Sequence, residues 1–473
     1  MFPSFNFLGG DMSSVNTATK TAKYTHEGAK ASNITKKQEL RRSVTACMLW
    51  ENTFYEDGKA IADRIKELVH QLPGQFVSEL AIEAREKMKL RHVPLFLVRE
   101  LARHPKKAER QFVSDTLARV IQRPDELTEY IAIYWKDGKE PLSAQSKLGL
   151  AKAFLKFNEY SFAKYTRDGA VKLRDALFLS HAKPGTKEQE KLFKKIVDNT
   201  LVTPDTWEVA LSGGADKKET FTRLLKEGKL GALALLRNLR NMSEAGVSTE
   251  LVTESLENLD VIRVLPFRFI SAAKYAPQLE SVLEKTMFKA LESHPELPGK
   301  TVMIVDVSGS MGGNVSGKSE IGRVDAAASL AILLREICED FSIYATAGND
   351  YSRIHKTALI PSRHGFALKD SILKSKNELG GGGIFLKQVM DYVYNLEKSN
   401  DVARIIVITD EQDCDTDPAK SPSKANTFGA NNYLINIANE KNGIGYDKWV
   451  HIDGFSEAVI DYIQAFEDQG DED

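Results

Sequence analysis

The feature that most limits what this chain can fold into is a change of texture near Leu297-Pro298-Gly299. Before it, apolar residues recur three and four apart in segment after segment. After it, short β-branched runs alternate with helical ones. AIADRIKELVHQL (60–72), VSELAIEAREKMK (77–89) and HVPLFLVRELARH (92–104) each gather their apolar residues on one helical face, with Pro94 in a first turn that tolerates it. Start signals stand ahead of such runs: Arg123-Pro124-Asp125-Glu126, Ser143, and Thr203-Pro204-Asp205. Residues of these types cap orphan amides or pre-set φ at the first helical position. Nothing in this half alternates convincingly as a strand. Helices of this length with short loops predict antiparallel pairs stacked as a solenoid, although no clean sequence period is present.

Beyond the change, TVMIVD (301–306), FSIYATA (341–347), RIIVIT (404–409), NYLINIA (432–438) and KWVHID (448–453) have the character of buried strands. Helical patterns at 324–340, 368–378, 386–397 and 456–466 lie between and after them. That alternation predicts parallel βαβ units, a doubly wound sheet with helices on both faces. The expected organisation is a flexible arm at 1–22, a helical domain at 23–295, an α/β domain at 296–466 and a disordered acidic tail at 467–473. Ligands of such sheets bind beyond the carboxyl ends of the strands, and two strands here end in acids, Asp306 and Asp410.

Residues 306–310 read Asp-Val-Ser-Gly-Ser. Alternate side chains leaving a strand bring one carboxylate and two hydroxyls, from Asp306, Ser308 and Ser310, to a point, and Asp410 can add a second carboxylate. An all-oxygen set of this kind suits a hard cation such as Mg²⁺, which keeps several waters. A competing motif overlaps it: GGNVSGKS, Gly312 to Ser319, satisfies the P-loop pattern, and RIIVITDE (404–411) imitates the acid-ending strand of such ATPases. Context opposes that reading, because a P-loop leaves its strand at the first glycine and enters a helix at GKS. Here Asp306 to Met311 intervene, and Gly322 falls where the helix would be forming.

The net charge of −2 conceals an asymmetry: residues 1–300 hold 48 Lys and Arg against 39 Asp and Glu, and the remainder 16 against 27. One half is thereby suited to a polyanion. Within the most basic stretch, Lys164, Arg167, Lys172, Arg174, His181 and Lys183 can neutralise phosphates, and Tyr165 can stack on an unpaired base. Lys172 and Arg174, two apart, cannot share a helical face. Arg237, Asn238 and Arg240 read better as structural, with Asn238 bridging backbone between repeats. Three scattered cysteines, Cys47, Cys338 and Cys414, predict neither disulfides nor a zinc site but a reducing compartment. With no signal-like N-terminus and no apolar run long enough for a membrane, the expectation is a cytoplasmic monomer.

The strand-end DxSxS with a second strand-end Asp resembles the metal-ion-dependent adhesion site of von Willebrand A domains. That family carries a Thr ligand after a Gly-rich loop; here the loop is GGGGIFL and Ile384 stands in its place, so a Mg²⁺ ion would take water at that position or be bound more weakly. The helical half resembles the TROVE domain of Ro ribonucleoproteins in LRHVPLFLVRELAR (90–103), KYTRDGAVKLRDALFLSHAKP (164–184), ALLRNLRNM (234–242) and LPFRFISAAKYA (265–276). The resemblance implies a ring of HEAT-like helical pairs followed by a von Willebrand A domain. It also implies binding of Y-like non-coding RNA outside the ring and of single-stranded ends of misfolded or 3′-tailed RNA through it, with an exoribonuclease as partner. His181 matches the family's RNA-contacting position in the LSHxKP run. The function expected is an RNA-binding scaffold of RNA quality control without catalysis of its own. The alternatives are a metal-dependent protein-adhesion module and the P-loop-like NTPase at 312–319.

Overall fold

The computed structural model describes residues 23–45, 57–165, 169–261, 264, 266–292, 296–315, 321–398, 401–422, 427–438, 443–445, 449–454 and 458–470. The expected arm at 1–22 lies outside them, as do Arg167, Lys318, Ser319 and Cys47.

The helical half begins with α1 (Lys36–Thr45), α2 (Gly58–Val69), α3 (Gly74–Glu86), α4 (His92–Ala102), α5 (Val113–Val120) and α6 (Asp125–Tyr134). It continues with α7 (Ala144–Phe154), α8 (Glu159–Tyr165), α9 (Leu173–Ser180), α10 (Lys187–Asp198) and α11 (Trp207–Ser212). It ends with α12 (Lys217–Lys226), α13 (Ala232–Glu244), α14 (Thr249–Glu257), α15 (Pro266–Tyr275) and α16 (Glu280–Leu291). Local chemistry sets many of the starts. Asp57 accepts the Lys59 and Ala60 amides, Ser143 that of Ser146, Thr186 that of Gln189 and Ser248 that of Leu251. The start signal at Thr203-Pro204-Asp205 is displaced: Thr206 is the residue that caps α11, accepting from Val209.

Alternate helices stack in two layers. α3 packs on α5, α5 on α7 and α7 on α9, while α2 packs on α4 and α4 on α6. Gly149 allows the close α5–α7 approach, since a Cβ there would stand 2.8 Å from the Ser114 carbonyl oxygen. Beyond α11 the layering resumes as α12–α14–α16 and α13–α15, and α15 packs directly on α17 (Arg323–Ile337) of the α/β half. The apolar interior follows this break. One buried cluster runs from Leu40 to Ile196, and a second runs from Phe221 without interruption through to Ile463 under the sheet. The two halves of the sequence therefore share a core, and the seam in the core lies inside the helical half.

The sheet comprises β1 (Leu297–Asp306), β2 (Cys338–Asn349), β3 (Ile354–Leu359), β4 (Val402–Thr409), β5 (Asn431–Asn436) and β6 (Val450–Asp453), in the order β3-β2-β1-β4-β5-β6. All neighbours are parallel except β2 and β3. Helices α18 (Gly365–Leu379), α19 (Leu386–Glu397) and α20 (Ala458–Gly470) complete the domain. β1 is buried on both faces: Met303 and Val305 join the cluster containing α17 and α18, whereas Val302 and Ile304 meet Val389, Met390 and Val393 of α19.

Three boundaries differ from the sequence reading. The helix read as 324–340 stops at Ile337 and Cys338 already begins β2. β3 was not legible as a strand, because as an antiparallel edge it buries no face; Ile354 and Leu359 are 56% and 62% exposed. Finally, α20 runs to Gly470, and Glu467, assigned to the tail, is paired with Arg404 and accepts from Tyr433.

The N-terminal described segment returns to the far side of the sheet. Thr25 donates to the Asp413 carbonyl (2.9 Å), the His26 amide to Gln412 (2.7 Å) and the Ser32 amide to the Gly443 carbonyl (2.8 Å), and α1 packs on β6. The helical array thus both begins and ends on the α/β domain.

Candidate metal centre and nucleic-acid interface

The strand order reverses direction between β1 and β4, the switch point where a crevice opens beyond the carboxyl ends. Asp306 and Asp410 lie there, both fully buried. One Asp306 oxygen accepts the Ser308 amide (2.8 Å) and the other the Thr409 hydroxyl (2.7 Å). The Ser308 and Ser310 hydroxyls are 3.2 Å apart, so the four predicted residues do converge. Burial and the neighbouring Asp410 carboxylate push the Asp306 carboxyl up to about 7, against the pull of its Ser308 and Thr409 donors. Two desolvated carboxylates facing each other are unfavourable without a cation.

One cation is built in. Arg323, first residue of α17 and 1% exposed, donates to the Ser310 carbonyl (3.1 Å) and stands 3.5 Å from Asp410. The sequence reading missed it. Its signal was electrostatic: a cation in the first turn of a helix opposes the macrodipole and calls for an anion nearby. Asp413 was missed as well. It is buried, accepts the Leu386 and Asp415 amides (2.7 and 2.8 Å), and burial pushes its carboxyl up to about 7 despite them. It holds the start of α19 from across the loop.

Ile384 is fully buried among Leu386, Val389 and Met390, pointing into the core rather than the crevice. The loop residue that reaches the DxSxS turn is Gly382, whose carbonyl accepts the Gly309 amide (3.3 Å). By either alignment this loop offers no side-chain oxygen. Among the described residues no cluster of three or more His, Cys, Asp or Glu side chains could hold a metal. The donor set is two carboxylates and two hydroxyls, which fits a hard, largely hydrated cation and not a tightly caged one. The described helix after the turn begins at Arg323, and Gly317, Lys318 and Ser319 of the P-loop-like stretch lie outside the described residues.

The predicted RNA residues divide into two groups. Lys164 and Tyr165 end α8. Lys164 lies over the rings of Tyr160 and Tyr165 (5.9 and 5.6 Å), and Arg123, not foreseen, stacks on Tyr165 at 4.4 Å. Lys172 precedes α9, Arg174 is its second residue, and His181 and Lys183 follow its end; all four are exposed. His181 takes the left-handed conformation (φ +56°) that terminates α9. Phe178, 58% exposed on the same helix, is a further surface aromatic that periodicity alone would have assigned to the core. Of the neighbouring cations, Lys152 pairs with Asp115, Arg119 with Glu86 and Lys195 with Glu159, whereas Lys187, Lys191 and Lys194 of α10 have no acidic partner among the described residues. Among the described residues none of Lys164, Lys172, Arg174, His181 and Lys183 has an acidic partner.

Asn238 is buried, as a structural role requires, but it bonds within α13, to the Ala234 carbonyl and Asn241, and not between repeats. Arg240 pairs with Glu244.

Comparison with known proteins agrees with this architecture. The TROVE domain model matches residues 199–358, from the loop before α11 to the edge strand of the sheet. Telomerase protein component 1 of Mus musculus is 34% identical over 113 residues, 23% of this chain but 4% of that protein. Its counterpart in Rattus norvegicus is 36% identical over 89 residues, 18% and 3%. The chain therefore spans a small fraction of the length of these curated relatives. The crystal structure of the Deinococcus radiodurans RO (RSR) protein superposes with a TM-score of 0.60 over 91% of this chain and 99% of that one, at 18% identity. The chain accordingly matches the TROVE domain over residues 199–358 and has the fold of the Ro protein, a helical array leading into an α/β domain.

Proposed function

We propose that the protein is an RNA-binding scaffold. It holds a small structured RNA of the Y-like class on the α8–α9 surface and takes up single-stranded ends of misfolded or 3′-tailed RNA for an exoribonuclease partner. It works in the cytoplasm as a monomer, without catalysis of its own. The observation that carries this reading is the group of exposed cations from Lys164 to Lys183, none of which has an acidic partner among the described residues. A group left uncompensated along consecutive helices suits a phosphate backbone, whose counterions it would displace.

The crevice at Asp306 and Asp410 supports a second, compatible role in the same chain. Asp306, Ser308, Ser310 and Asp410 would hold a Mg²⁺-like cation, which supplies an open coordination position for a carboxylate on a protein partner. Arg323 already offsets part of the acidic charge, so this cation would be bound weakly and exchangeably.

A filter-retention assay with a 3′-tailed hairpin RNA tests the scaffold reading. Retention at about 50 mM salt, lost steeply by about 200 mM, is expected. Charge reversal at Lys172 and Arg174 should abolish it. Retention that ignores both salt and charge reversal rejects the reading. Sequencing the RNA that copurifies with the protein identifies the cargo.

A further inference from the structure

A cleft of about 710 Å³ crosses the seam between the two apolar clusters, where α8 of the first faces α11 and α13 of the second. The α8–α9 surface described above does not account for it. Its walls are aromatic to an unusual degree: Tyr160, 55% exposed, and Tyr165 from α8, and Trp207 from α11, which is braced by Phe221 behind it (rings stacked at 6.4 Å). The floor is the first turn of α13. Gly231 to Ala234 line the space, and Gly231 provides no side chain to cap their amides. Leu233 is 49% exposed in this opening.

Three carboxylates and two lysines, Lys164 and Lys229, line the cleft, and the carboxylates do different things. Asp205 is held by Arg223 and Lys229, whose hydrogen bonds keep it ionised far below the usual carboxylate range. Glu208 and Asp260 face the same space. Carboxylates there repel a phosphate but accept from an exocyclic amino group. Lys229 is engaged by Asp205 and Glu227, which leaves Lys164 as the one lining cation without an acidic partner among the described residues, so the interior suits bases with at most one phosphate at Lys164.

A place for the next phosphate, beyond the cleft, is on α13 itself. Arg237 follows Leu233 by four residues and so lies on the same helical face, one turn further from the cleft. Arg268, in the first turn of the adjacent α15, is close enough to Arg237 that burial and the second guanidinium both disfavour its charge. Among the described residues neither arginine forms an ion pair. The two guanidiniums stand on helices that pack together and each opposes the other's charge, and an anion between them removes the repulsion.

We propose that this cleft, with Arg237 and Arg268 beyond its mouth, is a subsite for single-stranded RNA. Bases stack against Tyr160, Tyr165 and Trp207, and the connecting phosphate passes along α13 to the arginine pair. The proposal rests on the RNA-binding reading above and adds where, and with what preference, an unpaired strand is held. Glu208 makes adenine and cytosine better occupants than uracil. Because the walls belong to different apolar clusters, an occupant also ties the two together, so binding should protect the seam as well as fill the cleft.

The test uses the full chain and hexa-adenylate as probe. Hexa-adenylate should quench the Trp207 emission, identified by its loss in Trp207→Phe, and hexa-uridylate should bind more weakly. Tyr160→Ala and Leu233→Glu change exposed side chains and should fold normally. Each should weaken hexa-adenylate roughly ten-fold, the size of one lost stacked base. Arg237→Ala with Arg268→Ala should weaken it and flatten its salt dependence. Absence of quenching, or unchanged affinity in Leu233→Glu, overturns the proposal. The 3′-tailed hairpin, measured on the same samples, separates the two readings. A hairpin that still binds through Lys172 and Arg174 leaves the scaffold reading intact while the cleft fails. A hairpin that does not bind removes both.

Discussion

The Arg42 guanidinium and the Glu411 carboxylate form an ion pair that is almost wholly buried, 2% and 0% exposed, between residues 369 positions apart. Arg42 belongs to α1, the first described helix, and Glu411 follows Asp410 directly. Burial opposes the Glu411 charge, but Arg42 and His451 outweigh it and hold the carboxyl down to about 2. Gly443 packs against both partners so closely that a Cβ there would collide with them. The start of the helical array is thus locked onto the loop that carries Asp410, an acid of the candidate metal centre.

Removing one partner strands the other charge in the interior. Arg42→Met should therefore cost about 3–5 kcal/mol of unfolding free energy, and Glu411→Gln a similar amount. The double variant should cost less than the sum of the two. Chemical denaturation measures all three. Additive losses would show that the pair is not coupled.

His451 gives this junction a pH dependence. It is paired with Glu411 and lies 3.5 Å from Asp453, with Arg42 also facing it. Burial disfavours its charge, but Asp453 and Glu411 prevail and raise its pKa above the usual 6.5. A raised histidine stabilises the fold fully below 6.5, and that stability is lost as pH rises through the elevated value. The melting temperature of the wild type should fall more between pH 6 and pH 9 than that of His451→Gln. Parallel curves would exclude His451 as the cause.

Divalent cations should stabilise the protein by mass action, reaching about 2.7 kcal/mol at a hundred-fold excess over the dissociation constant. Thermal shifts with Mn²⁺ should vanish in Asp410→Asn. In Arg323→Gln, which removes the resident cation 3.5 Å from Asp410, they should saturate at lower Mn²⁺ than in the wild type. Chelation should reverse them. An unchanged Mn²⁺ response in Asp410→Asn would rule the crevice out as the binding site.

If Lys172 and Arg174 each neutralise one phosphate, replacing both with Ala should reduce the slope of log affinity against log salt by about 2, since each contact contributes roughly 0.9. Binding should weaken uniformly across RNA sequences. Fluorescence anisotropy at several salt concentrations gives the slope. A slope that does not change would place both side chains away from the RNA.

What the sequence determined by itself is what depends on short range. Helical periodicity, caps such as Ser143 and the β-branched runs fixed the order of elements. The DxSxS spacing after β1 brought Asp306, Ser308 and Ser310 together because they lie on one turn. What only the tertiary structure decided are relationships between distant positions. These are the edge strand β3, which buries no face to reveal it, Arg323 beside Asp410, and Arg237 beside Arg268. The seam at α11 and the closure of Arg42 on Glu411 belong with them. Periodicity reports which face of an element is buried but not what is packed against it, and charges across a fold leave no spacing to read.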